Sequence, residues 1–92
     1  MPLGENEKEA IIRISKEYGV KKVWLFGSML EPEPETAPND VDLAVEGLPK
    51  GEFINFYVAL EKALPMEIDL VPLDEDPPIS VIVRKKGRVI YG

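Results

Sequence analysis

The sequence predicts an α/β domain of the α+β kind, a small mixed β-sheet with helices packed on it. Three observations carry that prediction. Apolar residues recur at helical spacing in two segments, at Ile11, Ile14 and Tyr18 and again at Phe53, Phe56, Tyr57, Leu60 and Leu64. Short runs rich in Val, Ile, Leu and aromatic residues fall at 20–26, 41–45, 66–73 and 88–91. The two kinds of segment are interleaved through 92 residues with no repeat and no linker, so 1–92 is expected to be one domain around one core.

Each element has its own signal. Residues 5–18 read as a helix whose apolar line includes Ala10, with Glu7, Glu9, Lys16 and Glu17 mainly on other faces. Gly19 follows the last periodic residue, where a left-handed cap belongs. In the first strand, Val23-Trp24-Leu25-Phe26 is a continuous apolar run, the mark of a strand covered on both faces. Gly27-Ser28 ends it. Residues 31–38 (EPEPETAP) hold three prolines and three glutamates, which excludes a helix interior or a central strand and predicts an exposed loop. The second strand, 41–45, has Asp40 at its entry. Gly47 and Pro49 mark the turn into the second helix, which Pro65 stops. The third strand is followed by a loop at 74–78. Residues 79–86 read as a short helix ended by Gly87, although their β-branched side chains leave a strand open. A terminal strand closes the chain.

Composition narrows the chemistry. The net charge of −6 excludes a broad basic surface for duplex DNA, and no direct nucleic-acid binding is expected. The basic clusters are Lys21-Lys22 and Arg84-Lys85-Lys86, which also read simply as solvated ends of elements. With no Cys and no His there is no disulfide, no thiolate site and no imidazole base. Catalysis must then run on carboxylates, hydroxyls, amines and hard cations such as Mg²⁺ or Mn²⁺. No apolar run is long enough to span a membrane, and the acidic N-terminal segment lacks a signal-peptide pattern; a cytoplasmic location is expected.

Three pieces carry chemistry. Asp40 and Asp42, two apart on a strand, point to one face while Val41, Leu43 and Val45 point to the other. Two adjacent carboxylates repel unless a divalent cation lies between them; an acidic, solvated strand entrance is the simpler alternative. Asp69 sits mid-strand in an otherwise apolar stretch, where an unpaired charge is expensive. If that strand neighbours the second, Asp69 reaches the same cations; otherwise it belongs to a solvated edge, against which Ala44 and Val71 argue. Gly27-Ser28, after a buried strand, brings backbone close to a ligand and suits a phosphate if a helix starts at Ser28, though Gly-Ser after a strand also serves as a plain turn.

Taken together the pattern is strand, Gly-Ser, eleven residues, Asp-x-Asp on a strand, helix, then a strand with a single Asp. It resembles the minimal nucleotidyltransferase family, a branch of the DNA polymerase β-like nucleotidyltransferase superfamily, over nearly the whole chain. The resemblance implies the polymerase β-like nucleotidyltransferase fold. It further implies that Gly27 and Ser28 hold a nucleoside triphosphate, with ATP the expected donor. Asp40 and Asp42 would coordinate two Mg²⁺ (or Mn²⁺) ions, and Asp69 would share one of them and activate the attacking hydroxyl. Minimal members work beside a separate helical HEPN-type chain, so the implied role is that of an antitoxin that transfers a nucleotide to its toxin partner; a homodimer is left open.

The segment after Gly27-Ser28 departs from the family pattern. Members commonly carry an Arg and then a Gly there, whereas this chain has Met29-Leu30-Glu31-Pro32-Glu33-Pro34-Glu35. Like charge near a triphosphate disfavours binding. That departure sets a second expectation beside the enzyme, a nucleotidyltransferase-fold binding module that neutralises a partner without turnover. A phosphoacceptor domain of the response-regulator type ranks last, because the chain is too short for its longer run of alternating helices and strands.

Overall fold

The computed structural model describes residues 4–26 and 40–92, with Asp40 described as strand backbone. The elements are α1 (Glu5–Tyr18), β1 (Lys22–Phe26), β2 (Asp40–Glu46), α2 (Phe53–Ala63), β3 (Glu67–Pro72), α3 (Ser80–Lys86) and β4 (Arg88–Tyr91), with a 3-10 turn at Leu73–Glu75. The sheet order is β3-β2-β1-β4. β1 runs antiparallel to β2 and to β4, while β2 and β3 are parallel. The mixed sheet follows from the connections. Parallel neighbours need a crossover, and α2 supplies it between β2 and β3.

β1 is a central strand, and its apolar run is buried throughout as the sequence predicts. Val23 and Leu25 point to one face with Val41, Leu43, Val45 and Ile68, where Ile11 and Ile14 of α1 and Phe56 and Leu60 of α2 cover them. Tyr18 meets Phe56 edge to face at 5.6 Å. Trp24 and Phe26 point to the opposite face, where they pack with Ala44, Leu73 and Val83 of α3. Residues 79–86 thus contribute a helix, and their alternating exposure explains it: Ser80 and Val83 are buried while Val81 and Ile82 are exposed, a period of three to four rather than two.

The helix ends show two uses of glycine. Gly19 takes the left-handed conformation expected of it (φ 70°) and returns its N–H to the Lys16 carbonyl. Gly87 ends α3 differently. Its backbone is extended, and a Cβ there would lie 2.5 Å from the Val83 carbonyl oxygen, so close approach, not a left-handed turn, requires glycine.

A carboxylate clamp ties the exits of β2 and β3 together. Both oxygens of Asp74 accept hydrogen bonds from the Gly47 N–H (3.1 and 2.9 Å), and one also accepts from the Leu48 N–H (3.3 Å). Gly47 has φ 79°, which a side chain would strain. Asp74→Ala is expected to lower stability by about 1 kcal/mol, the low end for a charge-assisted pair because the site is exposed. Urea melts of the two proteins measure it.

Candidate functional site

The carboxylates come together through strand register. β2 and β3 pair Asp42 with Asp69, Asp40 with Glu67 and Ala44 with Val71. Val41 and Ile68, also paired, both point into the α1–α2 core, so the alternate positions share the opposite face. Asp42 and Asp69 therefore stand side by side on strands about 4.8 Å apart, on the face that α3 partly covers. Asp42 is half-buried and Asp69 exposed.

Two features differ from the sequence reading of Asp69. β3 is an edge strand, and the Asp69 side chain is solvated rather than held at cost in an apolar interior. Its neighbour Val71 on the same face is nonetheless half-buried against the Trp24 cluster. The solvated edge and the apolar wall coexist because α3 covers only part of this face.

Asp40 lies two residues before Asp42 at the start of β2, and its side chain is outside the described residues. Gly27 and Ser28 lie outside them too, as does the loop at 31–38. The strand that leads to Gly27 is described: Phe26, its last residue, pairs with Asp42. Among the described residues no group of three or more acidic side chains is gathered as cation ligands. The pair Asp42 and Asp69 supplies hard oxygen donors on one face, a donor set that fits Mg²⁺ or Mn²⁺ and no thiophilic metal.

The sequence reading passed over Glu67. It pairs with Asp40, so carboxylate positions stand two by two on β2 and β3. Alternation along residues 66–71 contained half of that signal, but the other half is inter-strand register. The acidic edge is felt on the far side of β3. The Tyr57 phenol on α2 has its pKa held above the ordinary value, first because its Oη donates to Glu61 Oε2 at 3.0 Å, then through partial desolvation and the negative charges of Glu61, Asp69 and Glu67.

Beneath α3, Trp24 is only 9% exposed, and its Nε1 has no hydrogen-bond partner among the described residues. Lys22 Nζ lies 5.4 Å from the centre of its ring. Arg84 of α3 reaches Glu46 Oε1 with Nη1 at 3.2 Å, at the far end of β2 from Asp42.

Known proteins share this fold. Residues 9–92 match the domain family described as Polymerase beta, Nucleotidyltransferase. No curated protein matches the chain by sequence. Among solved structures, a crystal structure of a toxin–antitoxin with AMP-PNP superposes at TM-score 0.73 with 24% identity, over 92% of this chain and 73% of that one. The toxin–antitoxin MntA–HepT superposes at TM-score 0.71 with 22% identity, over 97% of this chain and 73% of that one. A mutant of that pair, in which two aspartates become glutamates, gives TM-score 0.72 with 21% identity over 92% and 72% of the respective chains. At these identities the likeness carries the fold, and it is the nucleotidyltransferase fold. The family match is broader evidence, running from α1 through every strand and helix after it, and it makes this chain a member of the polymerase β nucleotidyltransferase family.

Proposed function

We propose that the chain is a divalent-metal-dependent nucleotidyltransferase. It moves a nucleoside monophosphate from a triphosphate, ATP being the expected donor, to a hydroxyl on a separate helical HEPN-type chain, and acts as the antitoxin of that pair. The observation that carries the reading is Asp42 beside Asp69 on paired parallel strands, with Asp40 two residues earlier on β2. The donor and partner are supported by the fold shared with a toxin–antitoxin structure containing AMP-PNP and with MntA–HepT.

Asp40, Asp42 and Asp69 would hold two Mg²⁺ or Mn²⁺ ions. When bound, such ions supply charge stabilisation for the attacking and leaving oxygens of an in-line displacement at phosphorus. The chain's own residues do the rest. Gly27 and Ser28, directly after Phe26, hold the triphosphate through backbone N–H groups and a hydroxyl. Asp69, exposed on the edge strand, is the carboxylate that an acceptor hydroxyl meets from solvent, and it takes that proton as the new P–O bond forms and pyrophosphate leaves. A protein acceptor suits an edge that nothing in the described chain covers.

The test is transfer of label from α-labelled ATP to the co-expressed helical partner in the presence of Mg²⁺. Transfer by the native protein and its loss in Asp42→Ala, by about a thousandfold if several kcal/mol of charge stabilisation depend on the site, is the expected result. Absence of transfer from the native protein sinks the enzymatic reading. One observation favours the second reading: residues 29–39 contain Glu31, Glu33 and Glu35 and no Lys or Arg. If neutralisation of the partner survives Asp40→Ala with Asp42→Ala, binding alone accounts for the antitoxin role.

A further inference from the structure

The proposed site leaves the triphosphate without a cation from the segment that follows Ser28. Elsewhere the chain concentrates its positive charge. Four of its 11 basic residues are Arg84, Lys85, Lys86 and Arg88, in a stretch from 77 to 92 that contains no acid. The fold brings this stretch to the carboxylate face. Val83 of α3 packs on Trp24, Phe26 and Ala44, and Ala44 is two residues from Asp42 on the same side of β2. α3 then passes through Gly87 to Arg88, which pairs with Leu25, the neighbour of the Phe26 that pairs with Asp42. The last turn of α3 therefore comes down at the end of β1 from which Gly27 and Ser28 continue.

Helix geometry separates the three cations of that turn. Ser80 and Val83 are buried and Gly87 half-buried, so the line of α3 against the sheet runs through them. At roughly 100° per residue, Arg84 and Lys86 flank this line on opposite sides, and Lys85 points away from the sheet. The Arg84 contact with Glu46 fixes which flank looks where. Glu46 is at the far end of β2 from Asp42, so the Arg84 flank faces that end and the Lys86 flank faces the carboxylates. Lys86 is exposed, and among the described residues it has no ion-pair partner.

We infer that Lys86 contacts the β- or γ-phosphate of the bound nucleotide, supplying from α3 the positive charge that the segment after Ser28 lacks. The inference rests on the nucleotide-binding reading of the site. A lysine suits the task, being a point charge on a flexible stem that reaches a phosphate from a helix flank.

The test is calorimetric titration of Mg²⁺ with AMP-PNP into the native protein and into Lys86→Ala, Lys85→Ala, Lys86→Arg and Asp42→Ala, with Trp24 fluorescence melts to show that each is folded. Lys86→Ala is expected to weaken binding about 10- to 100-fold, the loss of one charge-assisted hydrogen bond. Lys85→Ala, which changes net charge equally, is expected to stay within about twofold because its effect is only a screened long-range field. Lys86→Arg is expected to retain most of the affinity. Equal weakening by Lys85→Ala and Lys86→Ala, or no weakening by Lys86→Ala, overturns the assignment to Lys86 while leaving the nucleotide site standing. Absence of binding by the native protein, or binding indifferent to Asp42→Ala, overturns the site and the inference with it.

Discussion

Phe56→Ala is expected to remove about 3–5 kcal/mol of folding stability. Phe56 is the largest of the fully buried side chains, at 0% exposure. It stands where α2 meets α1 and the sheet, against the ring of Tyr18. Truncation loses the transfer free energy of the ring and leaves a cavity that two helices and a sheet cannot collapse into together. A domain of this size has about 5–15 kcal/mol in total, so the variant sits near the edge of folding, with Tm lower by roughly 15–30 °C. Ile54, two residues earlier on the same helix, is 65% exposed, and Ile54→Ala is expected to change stability by less than about 0.5 kcal/mol. Thermal melts followed by circular dichroism compare the two. A loss below about 1 kcal/mol for Phe56→Ala would mean that α2 does not seal the sheet as described.

Asp69→Asn is expected to move stability and activity in opposite directions. Without divalent cations, Asp42 and Asp69 are like charges at paired positions on neighbouring strands, an arrangement that costs roughly 0.2–1 kcal/mol. Neutralising Asp69, which is exposed, removes repulsion without opening a cavity, so Tm in chelator is expected to rise by about 1–5 °C. With Mg²⁺ or Mn²⁺ present, the native protein is expected to gain stability by mass action through the proposed cation site, and the variant to gain little. Nucleotide transfer by the variant is expected to fall about a thousandfold, since the residue is proposed both to share a cation and to take the acceptor's proton. Equal melting of both proteins with and without the metals would remove the case for a cation site at this pair.

The parts of this fold legible in the sequence are those set by local spacing. The α2 stripe at Phe53, Phe56, Tyr57, Leu60 and Leu64 and the Val23–Phe26 run announce a helix over a buried strand because one-sided and two-sided burial leave different periodicities. The spacing of Asp42 from Val41 and Leu43 likewise separates it from the core-facing residues of its strand. What was hidden depends on which strands pair and in what register. Nothing near Asp69 in the chain says that β3 is an edge, that its carboxylate is solvated, or that Glu67 stands opposite Asp40. The residues 79–86 were ambiguous because β-branched side chains serve a strand equally well, and only the burial of Ser80 and Val83 against β1 decides for a helix. Gly87 was foreseen as a stop, yet its reason is a close approach to the carbonyl of Val83, four residues back, and not the left-handed turn such a cap usually takes.

The Asp74 clamp has a meaning beyond the stability it confers. A slip of one residue between β2 and β3 would turn Asp69 to the other side of the sheet and leave Asp42 opposite a core residue. Edge strands are held by a neighbour on one side only, so β3, like β4 at the other edge, is freer to slip than the two central strands. Asp74 grips Gly47 and Leu48 just beyond the last paired residues, Val45 and Pro72. It acts as an indexing pin, setting the phase of two strands at one end so that their carboxylates coincide at the other, roughly 16 Å away. The alignment of the site is thereby governed by a residue that never touches it.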